Sequence, residues 1–141
     1  MTLGVPLEPF MLAAHVAGLA LLFGAVWVIA RRLSHSPWTA AAACAAVTLR
    51  HRITDTGANT FEGYYHPRGL AFAAGAWAAA AVASGRAGAA WGLVLLALVL
   101  HPTTGLWWAV WLAVAHIATR PTWRRDVGLA GAAALGIAAA R

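Results

Sequence analysis

The chain has 141 residues, of which 62% are hydrophobic and only 10% are Asp, Glu, Lys or Arg. Because about a quarter of the residues of a soluble domain are usually charged, this composition predicts a largely apolar surface, which suits lipid and not water. The net charge of +6 comes from arginines placed singly or in pairs between apolar runs. That distribution is typical of membrane loops and argues against a nucleic-acid partner. We therefore expect an integral membrane protein whose partner is the lipid bilayer.

Apolar runs in chain order predict an all-α, polytopic transmembrane helix bundle that occupies the whole of 1–141 as a single region. About six hydrophobic helices are expected, at roughly 10–30, 37–49, 67–85, 87–101, 105–119 and 127–140. The first is long enough as a helix to cross a hydrocarbon core of about 30 Å. Arg31-Arg32 follows it as a stop-transfer pair, and no basic residue precedes it, which is not typical of a signal peptide.

The fourth and fifth predicted helices come from one apolar run that is too long for a single span. His101-Pro102 interrupts this run, since proline cannot continue a helix. Thr103 or Thr104 is expected to cap the helix that follows. His101 then has two interpretations: it only marks the end of one helix, or its imidazole hydrogen-bonds a phosphate beside the free N–H groups of the next helix.

The arginines predict the orientation, provided that all six segments, including the Ala-rich 37–49, cross the membrane. One side would then carry Arg31, Arg32, Arg86, Arg120, Arg124 and Arg125. The other side would carry Arg50, Arg52 and Arg68. The positive-inside rule makes the first set cytoplasmic, which predicts a multi-pass protein of the cell membrane with loop 50–68 and turn 101–105 on the non-cytoplasmic side.

The predicted outer loop 50–68 contains most of the groups that can do chemistry. It is longer than the two to eight residues that usually join packed helices, which indicates a binding loop. Asp55 is followed by Thr-Gly and is either a turn former paired with Arg52 or a reacting carboxylate. Glu62 is either a solvated charge, paired with Arg68, or a second candidate acid.

The end of this loop supplies candidates for phosphate binding. Tyr64 and Tyr65 are typical interfacial anchors. His66-Pro67 indicates the entry turn of the third helix. Arg68 can hold either a lipid phosphate or a substrate phosphate.

A divalent metal is a further option for this side of the protein. The topology would bring His15, His51, His66 and His101 to it, and imidazoles with a carboxylate suit zinc. No pair of these histidines has the i, i+4 spacing of a strong zinc motif, so no metal ligand is predicted and the cofactor is left open.

The order of these features resembles the N-terminal part of polytopic membrane glycosyltransferases of the GT-C type. The resemblance extends over about residues 50–115. It rests on the polar outer loop, a short turn at Arg86, an apolar helix and two sequence stretches. These are His66-Pro67-Arg68-Gly69-Leu70-Ala71-Phe72 and His101-Pro102-Thr103-Thr104-Gly105-Leu106-Trp107-Trp108.

The resemblance implies a transferase that uses a lipid-phosphate-linked sugar donor on the non-cytoplasmic face. An acid in the first large outer loop then serves as the base or binds a metal, and Asp55 matches it best, with Glu62 second. Arg68 corresponds to a group that holds the donor phosphate, and His66 and His101 are the other candidates for substrate binding. Members have much longer chains, so we expect a fragment completed by further C-terminal helices or partner subunits.

A non-enzymatic function is the alternative. The chain would then be a small polytopic membrane subunit or a transporter fragment whose outer loop binds a partner, an ion or a solute. Transport favours ionisable groups in the middle of the membrane, and the sequence offers only His15 and His116 for that role. This favours the enzyme.

Overall fold

The computed structural model describes residues 6–49 and 64–119, and within them the chain is α-helical, with no β-strand. The helices are α1 Leu7–Ser34, α2 Pro37–Val47, α3 Pro67–Ala83, α4 Ala87–Leu100 and α5 Pro102–Ala118. The predicted all-α class is confirmed, and five of the expected helices are present. The sixth, at 127–140, lies outside the described residues.

Proline defines where α2, α3 and α5 begin. Each has Pro in its first turn, where the missing N–H is not needed and the fixed φ suits a helix, and a side chain just before it that accepts a backbone N–H. The expected cap of α5 at Thr103 or Thr104 is wrong. The helix begins at Pro102 and is capped by His101, because the imidazole accepts the backbone N–H of Thr104, which leaves Thr103 and Thr104 inside the first turn.

Side-chain contacts establish the directions of the helices. Gly18 packs against Leu70 and Gly24 against Trp77, so α1 and α3 run the same way. His66 contacts His101, and Phe72 contacts Trp108, so α3 and α5 are also parallel. The shared core cluster of Ala78, Ala90, Val94 and Leu112 joins α4 to both of them. The short turns on either side of α4 make it antiparallel to α3 and α5.

This alternation gives the bundle two different ends. The histidine end is formed by the starts of α3 and α5, with His66, Arg68 and His101. The arginine end is formed by the end of α1, the start of α2 and the α3–α4 turn, with Arg31, Arg32, His35 and Arg86.

Small side chains fill the interior of the bundle and large ones cover its outside. Most of the buried hydrophobic residues are alanines, and Leu112 and Val94 are the largest side chains that are fully buried. By contrast Trp38 is 81% exposed, Trp107 72% and Val99 83%. Among the described residues no polar or charged side chain is buried. Alanine at the contacts lets the helix backbones approach closely, as in helix pairs packed in lipid.

One helix of the described residues, α1, is long and apolar enough to cross a membrane by length and composition. Only 11% of its apolar window is buried, so it is not the enclosed core helix of a globular domain. The helix α2 has 11 residues, about 16 Å at 1.5 Å per residue. Its last residue, Val47, packs against the cluster of Leu22, Ala25, Ala73 and Ala76, below the histidine end.

Candidate functional site

His66 caps α3 with its ring. Its backbone is extended, with φ −136° and ψ 134°, which directs the side chain back over the first turn. The Nδ1 atom accepts a hydrogen bond from the backbone N–H of Arg68 at 3.1 Å. The predicted entry turn at His66-Pro67 is therefore confirmed, and the imidazole itself supplies the acceptor that an Asn or Ser usually supplies at this position.

His101 caps α5 in the same way. Its Nδ1 accepts from the backbone N–H of Thr104 at 3.3 Å, and the Thr104 hydroxyl oxygen lies 2.9 Å from the same nitrogen. The backbone N–H of His101 donates to the Ala97 carbonyl at 2.9 Å, which closes α4. One residue thus ends one helix and begins the next. Thr104 is the partner of this imidazole, a role that its sequence position did not indicate.

The two capping imidazoles are in contact. Their ring centroids lie 5.9 Å apart with the planes at 61°, an edge-to-face arrangement. They meet because α3 and α5 are parallel and held in register by Trp108, whose indole packs directly over Gly75. Both histidines are half-buried, so the pair forms part of the surface at this end of the bundle.

The capping bonds assign the tautomer of each neutral imidazole. A nitrogen that accepts a backbone N–H cannot itself carry the proton, so the proton of each ring is on Nε2. Each histidine then presents an N–H donor. Metal ligation through Nε2 would require the other tautomer and the loss of the cap. The pair is therefore suited to a ligand that accepts hydrogen bonds, such as a phosphate oxygen, and not to a metal ion.

The three predicted substrate-binding residues lie at the same end of the molecule. His66 and His101 touch, and Arg68 follows His66 in the first turn of α3. The N-termini of two parallel helices add their partial positive charge here. Arg68 contributes a full positive charge to the histidine end.

Of the other residues considered for catalysis or a metal on this side of the protein, the structure describes only His15. The predicted catalytic residues Asp55 and Glu62 lie outside the described residues, as does His51. His15 lies on α1, and within residues 6–49 and 64–119 no three His, Cys, Asp or Glu side chains are grouped as a metal site would require.

An aromatic cluster at the same α3–α5 contact, further along the two helices, could not be predicted from the sequence. The Phe72 and Trp108 rings have centroids 5.5 Å apart, and those of Trp108 and Trp111 are 5.7 Å apart. The i, i+3 spacing of the two tryptophans was the available signal, but their meeting with Phe72 depends on the α3–α5 contact.

Comparison of this chain with family models, with curated proteins and with solved structures gives no match.

Proposed function

We propose that the chain is a multi-pass membrane protein of the cell membrane. The support is the inverted distribution of its side chains, with alanine inside and large apolar residues outside. In water such a surface would cause the protein to aggregate, whereas in hydrocarbon the exposure of apolar side chains carries no free-energy penalty. A bilayer around the bundle would also explain why α1 is apolar along its length while so little of it is buried.

We propose that the arginine end faces the cytoplasm and the histidine end faces away from it. Arg31 and Arg32 lie in the last turn of α1 and Arg86 lies between α3 and α4, and all three are exposed. Short loops rich in arginine stay on the cytoplasmic side.

At the histidine end we propose a binding site for the phosphate of a lipid-linked sugar donor, in a glycosyltransferase of the GT-C-like class. The observation that carries this proposal is the contact between two imidazoles whose capping bonds leave both Nε2 atoms as donors. Two N–H donors and two helix N-termini, with the arginine Arg68 in the first turn of α3, form an environment that favours a phosphate.

In the proposed transfer, the base is the acid of loop 50–68 that the resemblance to GT-C enzymes implies. The Asp55 carboxylate takes the proton of an acceptor hydroxyl as its oxygen bonds to the anomeric carbon of the sugar. The bond between that carbon and the donor phosphate oxygen breaks, and the histidine N–H groups with Arg68 stabilise the charge on the departing phosphate. Glu62 is the second candidate for the base.

Replacement of both histidines by asparagine tests the phosphate site. In His66→Asn/His101→Asn, each Oδ1 takes the place of Nδ1 as the cap, while the Nε2–H donors are removed. We expect affinity for undecaprenyl phosphate to fall at least tenfold, about 1.4 kcal/mol, because a hydrogen bond to a charged group is worth about 1.5–3 kcal/mol. Thermal stability should stay close to that of the wild type.

A cap at the other end of the molecule provides the control. Ser36 caps α2 by accepting from the Thr39 N–H, and Ser36→Ala should cost about 1 kcal/mol of stability with no change in phosphate affinity. Unchanged affinity in the double asparagine variant would reject the site, because the Nε2–H donors are removed while an oxygen still caps each helix.

A further inference from the structure

The aromatic cluster formed by Phe72, Trp108 and Trp111 lies at the same helix contact as the histidine pair. Both groups join α3 to α5: His66 touches His101, and further along the helices Phe72 touches Trp108. At 1.5 Å per residue, Phe72 lies about 9 Å along α3 from His66, and Trp108 about 10 Å along α5 from His101. The rings therefore begin one to two helical turns below the polar groups.

This cluster is a formed surface and not three rings that are exposed by chance. Trp108 is half-buried. It packs against two core clusters, the one that contains Leu22 and Ala76 and the one that contains Ala78 and Leu112. A side chain at Gly75 would overlap the Trp108 indole, so the absence of a side chain there allows the ring to pack against the α3 backbone. Phe72 and Trp111 pack edge-to-face against it and are 41% and 43% exposed. Two rings are thus held by a third and still present much of their area outward.

We propose that the hydrocarbon chain of the lipid phosphate lies on this aromatic cluster while its phosphate is bound by His66 and His101; this rests on the function proposed above. A lipid phosphate has a charged head directly joined to an apolar chain. The α3–α5 contact has the same order, with paired donors at its end and rigid rings starting about 10 Å below them. Large rings held in place bind an apolar chain with little loss of their own side-chain freedom.

Replacement of the two exposed rings by leucine tests the proposal without making the surface polar. The Phe72→Leu/Trp111→Leu variant is compared with Trp107→Leu, which removes a ring of the same helix that is 72% exposed and is not part of the cluster. Binding of undecaprenyl phosphate, undecaprenol and inorganic phosphate is measured with the full chain in phosphatidylcholine nanodiscs.

We expect the double leucine variant to bind undecaprenyl phosphate and undecaprenol about tenfold more weakly, with inorganic phosphate binding unchanged. Trp107→Leu should leave all three affinities as they are. Equal effects of the double variant and Trp107→Leu would overturn the proposal, since the rings would then only contact bulk lipid.

The histidine variant separates the two proposals. If His66→Asn/His101→Asn weakens binding of undecaprenyl phosphate while the double leucine variant does not, the phosphate site stands and the aromatic cluster is not where the chain lies. If the histidine variant has no effect, the proposed function itself fails, whatever the rings do.

Discussion

The two ends of the bundle use different polar side chains to satisfy the backbone groups at their helix termini. At the arginine end, the Arg31 guanidinium donates to the His35 carbonyl, and the Ser84 hydroxyl donates to the Ala80 carbonyl. These bonds close helix C-termini within their own turns. At the histidine end, the caps are imidazoles, each of which uses one nitrogen for its helix and retains a second nitrogen as a donor.

This difference shows how a helix cap can also be part of a binding site. A serine cap such as Ser36 has a single polar atom, the hydroxyl oxygen, which accepts the backbone N–H at the helix end itself. An imidazole cap has one polar atom too many for that role alone. Capping alone does not explain why histidine stands at both positions, because Ser or Asn stabilises a helix start equally well or better. The Nε2–H donors of His66 and His101 therefore distinguish the histidine end from the arginine end.

The largest effect is expected from Asp55, the predicted base of the proposed transfer. Asp55→Asn should lower sugar transfer by about 10²–10⁴-fold, the contribution of a general base, because the amide cannot take the proton of the acceptor hydroxyl. Transfer from a lipid-linked donor is measured in membranes that contain the protein at wild-type levels.

Glu62→Gln is the matched variant for this measurement and should cost less than Asp55→Asn. Small and equal losses in both would show that the two acids only shape the segment between α2 and α3. Binding of undecaprenyl phosphate without any transfer in the wild type would favour the non-enzymatic alternative, a membrane subunit that holds a lipid phosphate.

A smaller effect is expected from Gly75, which holds the two helices of the histidine end together. Gly75→Ala places a methyl group in the Trp108 ring. Overpacking costs about 1–3 kcal/mol, which exceeds the roughly 0.5–1 kcal/mol that alanine gains over glycine inside a helix. We expect a lower thermal unfolding temperature, and weaker undecaprenyl phosphate binding because His66 and His101 move apart.

Gly69 provides the control on the same helix, since a methyl group there would meet no atom within 4 Å. Gly69→Ala should leave stability equal or slightly higher. A second replacement, Trp108→Leu, should relieve most of the cost of Gly75→Ala, as expected for residues in direct contact. A Gly75→Ala protein as stable as the wild type would show that the indole does not occupy this position.

The helices could be predicted from the sequence because their limits are set by local chemistry. Pro37 and Pro67 begin the helices at which they were expected, and α4 ends at Leu100, just before Pro102. The start of α5 was misplaced because proline and threonine both favour a helix start. The choice between them depended on the imidazole of His101, which is a rare cap.

The meeting of the two histidines could be only partly predicted. Topology placed His66 and His101 on the same side, but their contact depends on the relative depth of α3 and α5. That depth is determined by the fit of Trp108 against Gly75, two residues far apart in the sequence. Side-chain fit of this kind leaves no periodic pattern, and the aromatic cluster was missed for the same reason.

The proposed orientation of the two ends is tested most directly by measuring which end an impermeant reagent can reach from outside the cell. In a Cys44→Ala background, single cysteines replace Thr103 at the histidine end and Arg86 at the arginine end, both exposed positions. An impermeant thiol reagent is applied to intact and to lysed cells. We predict that Thr103→Cys reacts in intact cells and that Arg86→Cys reacts only after lysis. Reaction of Arg86→Cys in intact cells, with Thr103→Cys protected, would contradict the proposed orientation and place the histidine pair on the cytoplasmic side.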